Sequence, residues 1–218
     1  MKKRTKSAFF QTELKLFFTN VKYATINDYY LCRMRTFIDF LLQFGNLNKQ
    51  QIELIASKAT EMEFPKDSYF WEAGKTPKYI GFLVEGIIRV SYYDNKGEEI
   101  TKYFFDENHL IKDWENFDAT LYLQAVTDCT FVTFTKKEWR EISDTILDWD
   151  KMIEKIMNKQ HSEKTNKISV MISQDATTRY LEFLKNFPNA ANRIPLSYIA
   201  SFLGIRQGSL SRIRKNIR

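Results

Sequence analysis

The spacing of apolar positions along this 218-residue chain changes twice, and the changes divide it into blocks. From Met34 onward Phe37, Leu41, Leu42 and Phe44 fall at helical intervals, and Gly45 closes the short helix they predict. Asn48 followed by Gln51 has the spacing of a capping box, and Ile52, Ile55, Ala56 and Ala59 give the next helix its apolar face. Residues 1–33 show no clear amphipathic period. They read as an added helix, a flexible arm or an upstream extension, and Met34 keeps the last reading open.

The period then shortens. Met62 and Phe64 run into the turn Pro65-Lys66-Asp67-Ser68, and Tyr69-Phe70-Trp71 resumes an extended pattern. Ala73 to Pro77 is a turn cluster, and Glu85-Gly86 separates Tyr79–Val84 from Ile87–Tyr93. Asp94-Asn95-Lys96-Gly97 makes a hairpin into Ile100–Phe105, and Leu121–Val126 and Phe131–Phe134 follow. Roughly seven or eight short strands punctuated in this way predict an antiparallel barrel or jelly roll. After Lys136 the three- and four-residue steps return at Ile142, Ile146, Trp149, Ile153, Ile156, Met157, Ile168, Met171 and Ile172. They predict a short helix and then one of about 25 residues, whose narrow seam points to a homodimer rather than to packing on the barrel alone.

The last block is an amphipathic segment, Ala176–Leu184, ending at Phe187-Pro188, then a polar loop and two further short helices. Ile199, Ala200 and Leu203 would be buried on the first of these, with Ala200 small where the second crosses closely. Gly204 would supply the left-handed turn, and Leu210 and Ile213 would face inward. Gln207, Ser209, Ser211, Arg212, Arg214 and Lys215 are left outward, the polar and basic set of a major-groove helix. Arginine matches guanine bidentately and glutamine matches adenine. Ser197 and Ser209 have the short hydroxyls that meet phosphates near helix starts.

Charge sharpens this. The net +6 conceals +6 over residues 1–35, −7 over 36–175 and +7 over 176–218. An acidic body with a basic C-terminal end points to a polyanion, nucleic acid or membrane surface. Two cysteines, Cys32 and Cys129, and two histidines, His109 and His161, are too few for a disulfide framework, a zinc site or a four-cysteine cluster, so no metal or cofactor is expected. Cys129 is expected to be buried, His161 to be solvated or on the seam, and His109 to sit in a loop or at a helix start. No nucleophile elbow, phosphate-binding P-loop or zinc-protease motif occurs, and nothing asks for an enzyme. No apolar stretch of about 18 residues could span a bilayer, and no secretory signal is apparent.

The order of these blocks over residues 36–218 resembles the Crp/Fnr superfamily of bacterial transcription regulators. The resemblance is strongest in Tyr79–Arg89 and in Ile199–Ile205 followed by Leu210–Lys215, and the last helices look most like its Bacteroidetes-type branch. It implies an α+β chain: a cyclic-nucleotide-binding-like antiparallel β jelly roll (36–135), a dimerisation helix region (136–174) and a C-terminal helix-turn-helix (175–218), after a basic extension (1–35). It also implies double-stranded DNA as partner, a homodimer, a cytoplasmic location and RNA polymerase as a further candidate partner, with no membrane. By position the family's base-reading residues fall on Gln207, Gly208 and Arg212. Gly208 stands where the family often has glutamate, so the preferred site is expected to differ. Ser197, Arg206, Ser209, Ser211, Arg214 and Lys215 are assigned to the DNA backbone. The stretch between Pro188 and Ile194 is short for a wing.

The family's phosphate cassette would lie at Phe105–Leu121. That stretch has no glycine and no arginine, and carries five carboxylates against one lysine. A phosphate placed there meets repulsion without a guanidinium, so neither cyclic AMP nor cyclic GMP is expected to bind. An effector near Trp114 and Tyr122 is left open. The rival readings are a cyclic-nucleotide-sensing or protein-interaction module without transcriptional role, and a membrane-surface protein acting through residues 1–35.

Overall fold

The computed structural model describes residues 28–112, 119–172, 174–188 and 191–217. Its centre is a β-roll of two antiparallel four-stranded sheets. Strands β1 (Thr60–Phe64), β8 (Cys129–Thr135), β3 (Tyr79–Glu85) and β6 (His109–Ile111) form one sheet in that order. Strands β2 (Tyr69–Trp71), β7 (Tyr122–Ala125), β4 (Ile88–Tyr93) and β5 (Glu99–Phe105) form the other, with β5 at its edge. Leu83 and Phe131 from the first sheet meet Ile88, Val90, Leu123 and Ala125 from the second, so alternate residues of both sheets fill the roll.

Two glycines shape the roll. Gly86 turns β3 into β4 at φ +110°, and a Cβ there would lie 2.5 Å from Cys129 Sγ. Gly97, at φ +78°, ends the β4–β5 hairpin, where the Asp94 carboxylate accepts from the backbone N–H groups of Lys96 and Glu98.

Helices cover the outer face of the first sheet. Helix α1 (Asp28–Leu41) and helix α2 (Lys49–Lys58) precede the roll, and the capping box of Asn48 and Gln51 is formed as expected. Helix α1 begins inside the segment read as a basic extension. It brings Phe37 and Phe40 onto Phe82, with both ring pairs 4.9 Å apart. Helix α3 (Lys136–Thr145) follows β8 directly, capped by Thr135 and Glu138, and leads into the 24-residue α4 (Trp149–Ile172).

The seam expected to join two copies is largely used within the chain. Ile142, Ile146, Trp149, Ile153 and Ile156 are buried in the same cluster as Phe37, Phe82 and Phe134. Helices α1 and α2 provide a second wall that the barrel alone could not, which is why the stripe outlasts the roll. A second difference lies at His109, which begins β6 rather than lying in a loop or at a helix start, and pairs with Leu83. Cys129 is buried, as expected.

Candidate nucleic-acid interface

The chain turns at Asp175 into helix α5 (Ala176–Asn186). The Asp175 carboxylate accepts from the backbone N–H groups of Thr177 and Thr178 at 2.8 and 3.1 Å, and from the Thr178 hydroxyl at 2.6 Å. These bonds hold its carboxyl below the usual carboxylate range. Tyr180 and Phe183 turn inward from α5, and Phe187 follows them.

Helices α6 (Leu196–Phe202) and α7 (Gln207–Ile217) complete a helix-turn-helix arrangement. Ile199, Ala200, Leu203 and Leu210 are buried between them, and Ile213 is half-buried. The turn is a Schellman closure: Gly204 N–H donates to the Ser201 carbonyl at 3.1 Å and Ile205 N–H to the Ala200 carbonyl at 3.0 Å. Gly204 takes φ +64°, the left-handed conformation its position demands.

That packing sets what α7 shows to solvent. Gln207, Gly208, Ser209, Ser211, Arg212 and Lys215 are exposed, as are Arg206 before the helix and Ser197 on α6. Arg214 is half-buried, where an outward position was expected. No strand lies between α5 and α6 among the described residues, in keeping with the short stretch there.

The cassette stretch is described at Phe105–Lys112 and from Ala119 onward; Trp114 lies outside the described residues. Among the described ones, no helix stands between β6 and β7. The two leading carboxylates are engaged in the fold. Glu107 Oε1 accepts from the Gly86 N–H at 3.1 Å and pairs with Arg193 at 2.7 Å. Asp106 is pushed above the usual carboxylate range, mainly by burial, with Lys167 opposing. His109 stacks on Phe105 at 4.1 Å; burial, and then the charges of Lys167 and Lys164, hold its imidazole down at about 3. A polar cleft of about 280 Å³ opens here between α1, the β5–β6 loop and α4, outside the roll's interior.

No local pattern signals the way the helix-turn-helix sits on the roll. Arg89 of β4, 1% exposed, lies beneath the ring of Tyr198 from α6, with its guanidinium carbon 3.8 Å from the ring centre. Arg89 also pairs with Glu99 at 2.9 Å and donates to Thr101 Oγ1 at 2.9 Å. Beside it Phe104 meets Phe183, Phe187 and Phe202, at ring separations of 6.2, 6.3 and 5.6 Å. A basic residue in an alternating strand reads as solvent-facing, and its cover arrives more than a hundred residues later in the chain.

The fold of a two-sheet roll, a long helix and a helix-turn-helix is shared with solved structures that include a protein of the crp/fnr family. Residues 61–145 match the cyclic nucleotide-binding domain family. Among solved structures, FixK2 from Bradyrhizobium japonicum superposes with a TM-score of 0.64 at 14% identity, covering 73% of this chain and 84% of that one. The c-di-GMP responsive global regulator CLP of Xanthomonas campestris gives 0.61 at 15% identity, with coverage of 78% and 91%. A protein assigned to the crp/fnr family of transcriptional regulators from Eubacterium rectale gives 0.62 at 16%, with coverage of 82% and 87%. At these identities the likeness is one of fold. No curated protein matches the chain by sequence. No described helix is long and apolar enough to cross a membrane.

Proposed function

We propose that the protein is a transcription regulator of the Crp/Fnr type that binds DNA as a homodimer and reads its site through α7. The observation that carries this is the pairing of a closed α6–α7 turn with an open polar face. Buried Ile199, Ala200, Leu203 and Leu210 leave Gln207, Gly208 and Arg212 uncovered on one side. Gln207 and Arg212 supply base contacts, while Gly208 brings the backbone close and makes no side-chain contact. Ser197, Arg206, Ser209, Ser211 and Lys215 meet phosphates, and half-buried Arg214 contributes least. The +7 charge of residues 176–218 steers the encounter.

Regulation in this reading does not run through cyclic AMP or cyclic GMP. The cassette stretch is acidic, and Glu107 is spent on Gly86 and Arg193 rather than free for a ribose hydroxyl. The match to the cyclic nucleotide-binding family favours the opposite, a nucleotide sensor, so the two are put to one test. Titration calorimetry with cyclic AMP is expected to give no saturable heat; saturable micromolar binding would replace this reading with the sensor.

The DNA reading is tested by selecting bound duplexes from a random pool with the full chain. An enriched sequence of two related half-sites about one helical turn apart is expected. Recovery of unrelated sequences would refute it. Lys215→Ala should then lower the salt slope of binding by about 1 without changing the preferred sequence.

A further inference from the structure

Arg89 is the one charged side chain fully buried among the described residues, and part of its cover comes from outside the roll. Taking a guanidinium out of water is costly unless every face of it is engaged. Here the roll supplies the edge: Glu99 at 2.9 Å, Thr101 Oγ1 at 2.9 Å and Gln124 Oε1 at 3.4 Å. The flat face is covered by Tyr198, which belongs to α6. Without the helix-turn-helix that face would lose the Tyr198 ring.

A second bond works at the same place. The backbone N–H of Thr101 donates to Ser201 Oγ at 2.9 Å, across the open edge of β5. Tyr198 and Ser201 lie one helical turn apart, so one side of α6 engages both the face and the edge of this sheet. Its other side, Ile199, Ala200 and Leu203, is packed within the helix-turn-helix core that includes Leu210. Any rotation of α6 on the roll therefore rotates the exposed face of α7 with it. That face is left open by the docking, which makes the roll a mount for α7 and not a cover over it.

We infer that Arg89 is a positioning residue for DNA recognition: from the β-roll it fixes the angle at which α6, and through it α7, is presented. This rests on the DNA-binding reading above. Spacing between half-sites follows from the geometry of the two recognition helices, so a loosened mount shows in spacing before it shows in base preference.

The experiment uses the full chain and the duplex selected by the wild type, with the half-sites moved apart or together one base pair at a time. Arg89→Met removes the cation, Tyr198→Leu removes its cover from the other side of the contact, and Tyr198→Phe keeps the π face. Hydrogen exchange at the Thr101 amide reports the docking without DNA. Arg89→Met and Tyr198→Leu are expected to speed that exchange, to bind the paired site about tenfold more weakly, and to tolerate altered spacings. Both should hold a single half-site within about twofold of the wild type. Tyr198→Phe should follow the wild type throughout. An unchanged spacing profile despite faster Thr101 exchange overturns the inference, and so does tighter DNA binding by either variant, which would make the contact a brake. If the wild type selects no DNA, the underlying reading fails and this role falls with it. Faster exchange at Thr101 would then mark Arg89 as a purely structural tie. Should Arg89→Met fail to fold, Tyr198→Leu decides the matter, since it leaves the roll's own residues intact.

Discussion

The two sheets of the roll are covered on their outer faces by helices, but by different chemistry. Over the first sheet the layer is mainly apolar, with the ion pairs Arg33–Glu61 and Lys58–Glu141 only at its border: Phe37, Phe40, Trp139 and Trp149 close on Phe82, Val132 and Phe134, with Trp139 and Trp149 rings 5.1 Å apart. Over the second, an aromatic group around Phe104 is bordered by an ion pair, a cation–π stack, a backbone bond to Ser201 and the Arg193–Glu107 bridge. Apolar burial is strong and indifferent to direction, whereas hydrogen bonds and ion pairs fix angles. The first layer thus packs without fixing a direction, and the second fixes how α6 sits on the roll.

That contrast can be attacked at several points. Trp149→Ala opens a void in the apolar layer and should lower unfolding free energy by about 3–5 kcal/mol in a urea titration. A loss under about 1 kcal/mol would mean that the layer is not a close-packed core. Arg212→Ala should leave both layers and overall stability intact, and should weaken the selected DNA site by about 1–3 kcal/mol in a gel-shift or anisotropy titration. Equal weakening on random DNA would move Arg212 from base reading to the backbone.

His109 tests the corner where the layers meet. Its folded pKa, about 3, lies below the unfolded value, so the unfolded chain takes up the proton first as pH falls. The stability it contributes is full above the unfolded value of about 6.5 and declines as pH drops from there toward 3. Asp106, raised by burial, works in the opposite sense, so the comparison must be with a variant. His109→Phe should make the fall in melting temperature between pH 7 and pH 5 shallower. An identical slope would show that His109 carries no such linkage. Glu99→Gln keeps an acceptor for Arg89 but takes the counter-charge from a buried guanidinium. It should cost about 1–3 kcal/mol, and the difference from wild type should persist in 1 M salt, read by thermal melts at two ionic strengths.

Much of the second block was legible because its strands are long enough to alternate and its turns carry glycine or proline. Strand β6 escaped because three residues, His109–Ile111, show no period. The stripe on α3 and α4 was legible as a stripe. What covers it was not, since α1 begins in a stretch without an amphipathic pattern, and the same isoleucines would serve a neighbouring copy equally well. The helix-turn-helix was read to the residue at Ala200, Gly204 and Leu210, where local geometry leaves few alternatives. Arg89 and Tyr198 were not, because a contact between distant segments leaves no trace in the local pattern of either.

The bond from Thr101 to Ser201 has one more consequence. Strand β5 reads Glu-Ile-Thr-Lys-Tyr-Phe-Phe, and among the described residues it ends its sheet with no further strand beside it. Aromatic, strand-forming edges of this kind recruit other chains and seed aggregates. A roll cut off before α5 would expose that edge, and should be sticky where the whole chain stays in solution. Covering that edge is thus a task of the same seven-residue helix that carries Ser197.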